Sequence, residues 1–97
     1  MSKSYIEQLA NILQMLNNLD RDLNLISFNE TEKKIYYTIA YEAHKKGKCN
    51  ISDVIESSGF SRSTVYKAIK AFEDKKMVNL IQSHTDRREV FLDLITA

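Results

Sequence analysis

The first quarter of the chain carries a long amphipathic pattern. Apolar residues recur at alternating intervals of four and three positions, at Tyr5, Leu9, Ile12, Leu16, Leu19, Leu23 and Ile26. This spacing keeps one face of a helix apolar over several turns, as in helices that pair with other helices. Ser4 with Glu7 three residues later has the form of a capping box. The pattern predicts a helix over residues 4–23, and Ile6 and Leu13 widen its apolar face.

Two further helices follow in the middle of the chain. Asn29 and Glu32 form a second capping box, and the helix that they start is expected to end at the cations before Gly47. Residues 49–51 are expected to be extended. Ser52 is then expected to cap a short helix over residues 53–57, which packs through Val54 and Ile55.

Gly59 marks a turn, and Ser61 is the predicted cap of a fourth helix over residues 62–75. Phe60 before the cap and Val65 inside the helix have the spacing of a hydrophobic staple. At 100° per residue the helix has two faces. The apolar face consists of Val65, Ala68, Ile69 and Phe72, and the opposite face consists of Ser63, Tyr66, Lys67 and Lys70, with Arg62 in the first turn.

The last third of the chain predicts a β-hairpin. Residues 77–83 are β-prone, residues 85–88 form a polar tip, and Val90, Leu92 and Leu94 alternate with other side chains on the returning strand. A short helix, a glycine turn, a capped helix and a hairpin make a winged helix-turn-helix. We therefore expect a mainly α fold with a small β-hairpin wing, in a single domain over residues 1–97. Residues 1–27 form a long N-terminal dimerisation helix, and residues 28–97 form the winged helix.

The outward face of the fourth helix favours DNA binding. Between Ser61 and Lys70 there are three cations, Arg62, Lys67 and Lys70, and no acidic residue. A recognition helix presents such donors and cations from its first turns to base edges and phosphates in the major groove. The alternative is a solvated basic face, but the preceding short helix, the turn and the following hairpin favour recognition of DNA.

Residues 28–95 resemble the MarR family of winged-helix regulators. The resemblance is carried by Ser61-Arg62-Ser63-Thr64-Val65-Tyr66, by Phe72-Glu73-Asp74-Lys75-Lys76-Met77-Val78, and by Asp86-Arg87-Arg88 followed by Val90 and Leu94. It implies that Arg88 enters the minor groove, that Asp86 orients an arginine and that Arg87 contacts phosphate. A turn held by an Asp–Arg pair is the alternative. The predicted DNA-binding set is Ser61, Arg62, Ser63, Thr64, Tyr66, Lys67, Lys70, His84, Arg87 and Arg88.

The chain departs from the MarR pattern in several places. Lys76 stands where the family usually has glycine, so it is expected in a left-handed conformation at a cost of about 1 kcal/mol. Ile55 replaces a small residue, and Ile95 replaces a threonine. The family's two C-terminal dimerisation helices have no counterpart before Ala97. The N-terminal helix is therefore expected to form a homodimer through Tyr5, Leu9, Ile12, Leu16, Leu19 and Leu23, although the same stripe could cover its own core, and higher oligomers stay open.

Composition adds few constraints. The 97 residues carry a net charge of +1 and a single cysteine, which excludes an internal disulfide and suits a reducing cytoplasm. Burial of Cys49 as an apolar residue is favoured over redox sensing, and His44 and His84 lack the spacing of metal ligands.

Tyr36, Tyr37 and Tyr41 are expected in the core or in an interface, and the alternative is that they line an effector pocket. No catalytic motif, cofactor motif, signal peptide or membrane span is recognisable.

These patterns predict a cytoplasmic transcription regulator and not an enzyme. It would act as a homodimer on a pseudo-palindromic site in double-stranded DNA, with residues 61–75 in the major groove and the wing, residues 83–90, at the minor groove. The near-neutral charge keeps one alternative open, a winged-helix module that docks on a protein such as polymerase or another regulator.

Overall fold

The computed structural model describes residues 3–86 and 89–95 of the chain. This part contains four helices, α1 (Lys3–Asp22), α2 (Glu30–Lys46), α3 (Ile51–Ser58) and α4 (Arg62–Asp74), and three strands, β1 (Cys49–Asn50), β2 (Val78–Gln82) and β3 (Val90–Leu94). The strands form an antiparallel sheet in the order β1-β3-β2. The predicted order of elements and the winged helix-turn-helix are confirmed.

Two of the predicted helix starts are confirmed. The Asn29 side chain accepts a hydrogen bond from the Glu32 amide at 2.8 Å, and the Glu32 carboxylate accepts one from the Asn29 amide at 2.9 Å. Ser61 Oγ accepts a hydrogen bond from the Thr64 amide at 3.2 Å at the start of α4. Each bond satisfies an amide that the first turn of a helix would otherwise leave unpaired.

The other two predicted caps are wrong. Ser4 already lies inside α1, where its Oγ accepts a hydrogen bond from Gln8 Nε2 at 3.3 Å. The cap of α3 is Asn50, whose side chain accepts a hydrogen bond from the Ser52 amide at 2.8 Å. Asparagine at the end of β1 forms this turn before Ser52 is reached, so α3 begins two residues earlier than predicted.

Helices α1 and α4 end in the same way, with one residue in the left-handed conformation. At α1 that residue is Asn24 and at α4 it is Lys76, both with φ of 60°. The amide of the next residue returns to the carbonyl five positions earlier, from Leu25 to Asp20 at 2.7 Å and from Met77 to Phe72 at 2.9 Å. These are the bonds of a Schellman motif. The prediction of a left-handed Lys76 is confirmed.

The α1 ending corrects the register of the N-terminal stripe. Because the chain turns at Asn24, Ile26 is not helical and is 65% exposed, whereas Leu25 is 0% exposed and lies in the core. Leu23 is half-buried and also packs against that core. The apolar spacing predicted Ile26 as the next residue of the helical stripe, but the helix ends before it. The residue of this segment that enters the core is Leu25, which the spacing did not predict.

The core lies between α2, α3, α4 and the sheet. Phe72 of α4 is fully buried, with the rings of Phe28 and Tyr36 packed edge-on at centroid distances of 5.0 and 5.4 Å. In the sheet, Leu92 of β3 pairs with Cys49 on one side and Leu80 on the other. This arrangement closes the wing onto the base of the helix-turn-helix.

Helix α1 projects from this body, and the molecule measures 51 × 24 × 24 Å along its principal axes. Its apolar side chains are mostly exposed; they are Tyr5, Ile6, Leu9, Ile12, Leu13, Met15 and Leu19, while Leu16 is half-buried. The alternative in which this stripe covers the core of its own chain is therefore not the arrangement that the structure shows. Across the described residues, no helix has both the length and the apolar character to span a bilayer.

We expect Leu25→Ala to lower the free energy of unfolding by about 2–5 kcal/mol, because it leaves a cavity in a closed core. The matched control is Ile26→Ala, the exposed neighbour, which should change it by less than about 0.5 kcal/mol. Urea denaturation followed by circular dichroism at one fixed protein concentration measures both. Equal effects of the two variants would contradict the burial of Leu25.

Candidate nucleic-acid interface

The orientation of α4 divides its side chains as the sequence predicted. Its inner face is buried and consists of Val65, Ala68, Ile69 and Phe72. Its outer face is exposed and consists of Arg62, Ser63, Tyr66, Lys67 and Lys70. Since no part of the described chain covers the outer face, these donors and cations are available to a nucleic acid.

The first turn of α4 is held by a network of hydroxyl groups. Ser61 Oγ donates to Thr64 Oγ1 at 2.9 Å and lies 3.2 Å from Ser63 Oγ. The Arg62 guanidinium lies over the Tyr66 ring, 6.0 Å from its centroid. Ser61 and Thr64, both in the predicted DNA-binding set, therefore have a structural role in fixing the helix start. Ser63, Arg62 and Tyr66 keep their outward positions.

The cations on the outer face of α4 have no carboxylate partner among the described residues. Among the described residues, Lys33 and Lys46 form ion pairs with carboxylates, including Lys46 with Asp53 at 3.0 Å. No such pair to a described carboxylate is formed by Arg62, Lys67 or Lys70. Although the net charge of the chain is only +1, the outer face of α4 thus carries cations that are not neutralised by a described carboxylate.

One cation near this face was not predicted from the sequence. Lys34 of α2 places its ammonium 5.5 Å from the centroid of the Phe60 ring, directly before the cap of α4. On the sequence it is one of two adjacent lysines in α2, and its neighbour Lys33 instead turns to Asp20 and Glu30. Only the packing of α2 against the turn distinguishes them, so no sequence signal would have identified Lys34.

The base of the wing is closed by backbone and hydroxyl bonds. Beyond β2, the Ser83 amide donates to the Glu89 carbonyl at 3.0 Å, and the Glu89 amide donates to the Asp86 carbonyl at 3.0 Å. Ser83 Oγ accepts from the amides of Thr85 and Asp86, both at 3.3 Å. His84 is exposed on this loop. Arg87 and Arg88, the predicted tip residues, lie outside the described residues.

The remaining candidate residues belong to the body of the fold. Cys49 is fully buried, which raises the pKa of its thiol from 9.0 to about 12, and the charges of Glu42 and Asp53 add to this shift. The expected burial is confirmed, and such a thiol is poorly reactive. Tyr36 packs in the core, whereas Tyr41 is exposed and lies under Lys45. The described residues contain no cluster of His, Cys, Asp or Glu that could hold a metal.

Comparison with protein families shows to which family the chain belongs. Residues 23–91, which run from the end of α1 through the helix-turn-helix into β3, match the family described as "Sugar-specific transcriptional regulator TrmB". The chain belongs to the TrmB family. It is therefore a DNA-binding transcription regulator, as the outward face of α4 indicated. Comparison with curated protein sequences gave no significant match.

Solved structures share the fold of this TrmB-family chain. Staphylococcus aureus MepR in a DNA-binding conformation is 19% identical, with a TM-score of 0.62 over 98% of this chain and 67% of MepR. The heme sensor PefR from Streptococcus agalactiae, in complex with heme, is 20% identical, with a TM-score of 0.57 over 98% of this chain and 65% of PefR. The chain thus spans about two thirds of the length of these proteins. The MarR-like fold predicted from the sequence is confirmed.

We expect Cys49 in the folded TrmB-family protein to react far more slowly with iodoacetamide at pH 8 than it does in urea, because the native thiol is buried and protonated. The raised pKa also has a consequence for stability. The contribution of the protonated thiol is complete below pH 9.0 and is lost as the pH rises towards about 12, because the unfolded chain releases this proton first.

Two measurements check this assignment. Mass spectrometry of the alkylated protein gives the labelling rate, and thermal melts of the wild type and of Cys49→Ala give the alkaline loss of stability. Equal labelling rates with and without urea would show that Cys49 is accessible. An alkaline loss that is unchanged in Cys49→Ala would assign it to other groups.

Proposed function

We propose that this regulator acts as a homodimer on pseudo-palindromic double-stranded DNA. The two copies of α4 enter successive major grooves, roughly 34–36 Å apart, and each wing lies at the adjoining minor groove. The observation that carries this proposal is the outer face of α4, where Ser63 and Tyr66 are exposed together with three cations that pair with no described carboxylate. A mutant of Staphylococcus aureus MepR has been solved bound to an oligodeoxyribonucleotide, and its fold matches this chain with a TM-score of 0.62.

Each residue of the interface has a proposed role. Arg62, Lys67 and Lys70 contact phosphates or base acceptors, and Ser63 and Tyr66 reach base edges. Ser61 and Thr64 hold the first turn in place for these contacts. We add Lys34 as a phosphate contact from α2, since its ammonium lies beside the turn before α4. His84, Arg87 and Arg88 are the proposed wing contacts.

The homodimer rests on the exposed stripe of α1. Ile12 is 61% exposed and Leu9 is 55% exposed, on a helix that its own body does not cover. Burial of one large aliphatic side chain contributes roughly 1.5–3 kcal/mol, so a second copy of α1 packed on this stripe offers a large driving force. Tyr5, Leu9, Ile12, Leu16 and Leu19 are the proposed contacts, while Leu23 is shared with the core of its own chain.

The remaining parts of the proposal follow from this arrangement. Residues 1–27 serve dimerisation and residues 28–97 serve DNA binding. The buried free thiol of Cys49 suits the reducing conditions of the cytoplasm. We propose no catalytic activity, since the described side chains with a clear role serve packing, capping or the DNA-facing surface.

We expect Lys67→Ala and Lys70→Ala each to weaken DNA binding and to lower the slope of log affinity against log salt concentration by about 1, since each removes one phosphate contact. Fluorescence anisotropy with a labelled duplex at several salt concentrations measures both quantities. The control is Lys45→Ala, which removes an exposed lysine at the other end of α2 from Lys34. Affinity and slope that are unchanged in both α4 variants would contradict the proposed interface and would favour a protein partner.

We expect Ile12→Lys to dissociate the homodimer, because it would bury an unpaired ammonium between two copies of α1. Gln14→Lys is the matched control, with the same new charge on the opposite, polar face of the helix. Sedimentation velocity gives the oligomeric state, and circular dichroism verifies the winged helix, which Ile12 does not touch. A wild type that sediments as a monomer, or an Ile12→Lys variant that sediments as the wild type, would contradict dimerisation through this stripe.

A further inference from the structure

We propose that Asp20 is a positioning residue, which sets the angle between α1 and the winged helix and thereby the separation of the two recognition helices. This inference rests on the homodimer proposed above and assigns a function to its junction. Asp20 lies in the last turn of α1 and is only 6% exposed, whereas most other side chains of this helix are exposed.

Both carboxylate oxygens of Asp20 are bound by α2. The Tyr37 hydroxyl donates a hydrogen bond to Oδ1 at 2.5 Å, and the Lys33 ammonium lies 3.6 Å from Oδ2. Burial and the bond to Asp20 raise the pKa of Tyr37 above its usual value, so the hydroxyl remains a donor throughout the neutral range. A buried carboxylate is stable only when it is paired in this way, so the contact strongly disfavours arrangements that separate α1 from α2.

The direction of these bonds matters more than their strength. Apolar packing tolerates small rotations, whereas a short hydrogen bond to a charged group requires a narrow range of distance and angle. On the other side of the junction, the turn at Asn24 and the buried Leu25 hold the end of α1, and the bonds to Asp20 are the polar contacts between α1 and α2 among the described residues. The carboxylate therefore supplies the constraint that the exposed remainder of α1 lacks.

A small tilt at this point has a large effect on DNA recognition. Helix α1 has 20 residues and is therefore about 30 Å long. The far end lies about 26 Å from Asp20, so a change of about 10° at Asp20 moves it by about 4.5 Å, which exceeds the spacing of roughly 3.4 Å between base pairs. Because the two copies pair through α1, the spacing of the two α4 helices depends on this angle in both.

Pulsed electron–electron double resonance between nitroxide labels in the two copies measures the separation of the α4 helices in the absence of DNA. The label is placed at Glu73→Cys, an exposed position in α4, and the buried Cys49 is left unlabelled. We expect a narrow distance distribution in this background and, with Tyr37→Phe added, a distribution at least twice as wide. The control is Tyr41→Phe, which removes the hydroxyl of an exposed tyrosine on the same helix and should leave the width unchanged.

A second pair of variants covers the case in which Tyr37→Phe does not fold, as judged by its thermal melt. Asp20→Asn keeps the shape of the side chain and removes the charge that attracts Lys33, and it is compared with Asp22→Asn, an exposed position two residues later. The width should increase in Asp20→Asn and not in Asp22→Asn, while sedimentation still shows a dimer.

The outcomes separate this inference from the proposal on which it depends. A labelled protein without dipolar coupling is a monomer, which overturns the homodimer and the inference together. Coupling that is narrow in the background and equally narrow in Tyr37→Phe and Asp20→Asn overturns the inference alone. A lower melting temperature with an unchanged distribution has the same meaning, because it shows that Asp20 stabilises the fold without setting the angle.

Discussion

The fold depends on the burial of Phe72, because that ring decides which way the outer face of α4 points. The rings of Phe28 and Tyr36 meet it edge-on at 5.0 and 5.4 Å, so residues from the α1–α2 connection and from α2 fix the rotation of α4. On a helix, the rotation of one side chain determines that of all others. The buried aromatic group thus places Lys67 and Lys70 outward, and the same packing that stabilises the core orients the proposed DNA-binding face.

Part of the acidic charge of this nearly neutral chain is paired away from α4. Asp20 and Glu42 are buried, and their partners come from within the body: Ser57 Oγ donates to Glu42 Oε1 at 2.6 Å, and Lys46 bridges Glu42 and Asp53. These contacts join α3 to α2, and they pair the carboxylates with a lysine that lies outside α4. Net charge, which kept a protein-docking module open as an alternative, does not report this separation, whereas the pairing of individual groups does.

Sequence reasoning succeeded where a few neighbouring residues decide the structure. The caps at Asn29 and Ser61 and the two faces of α4 follow from local spacing, the left-handed Lys76 follows from the resemblance to the MarR family, and all are present. It failed where an unpredicted turn or a contact from a distant segment decides the burial of a side chain. Leu25 becomes a core residue only because the chain turns at Asn24, and Asp20 is buried only because Tyr37 and Lys33 lie opposite. The roles of Arg87 and Arg88, which rest on the resemblance, are still predictions.

In the proposed dimer, the projecting α1 couples helix formation to assembly. An isolated helix of about 20 residues is only marginally stable in water, since its stability normally comes from packing of its apolar face. That face has no cover within its own chain, and a second α1 would supply it. The Asp20 junction then transmits the geometry of the pair to the winged helix. Dimerisation, order in α1 and the spacing of the recognition helices therefore form one linked equilibrium, so a ligand that bound near the junction would act on all three.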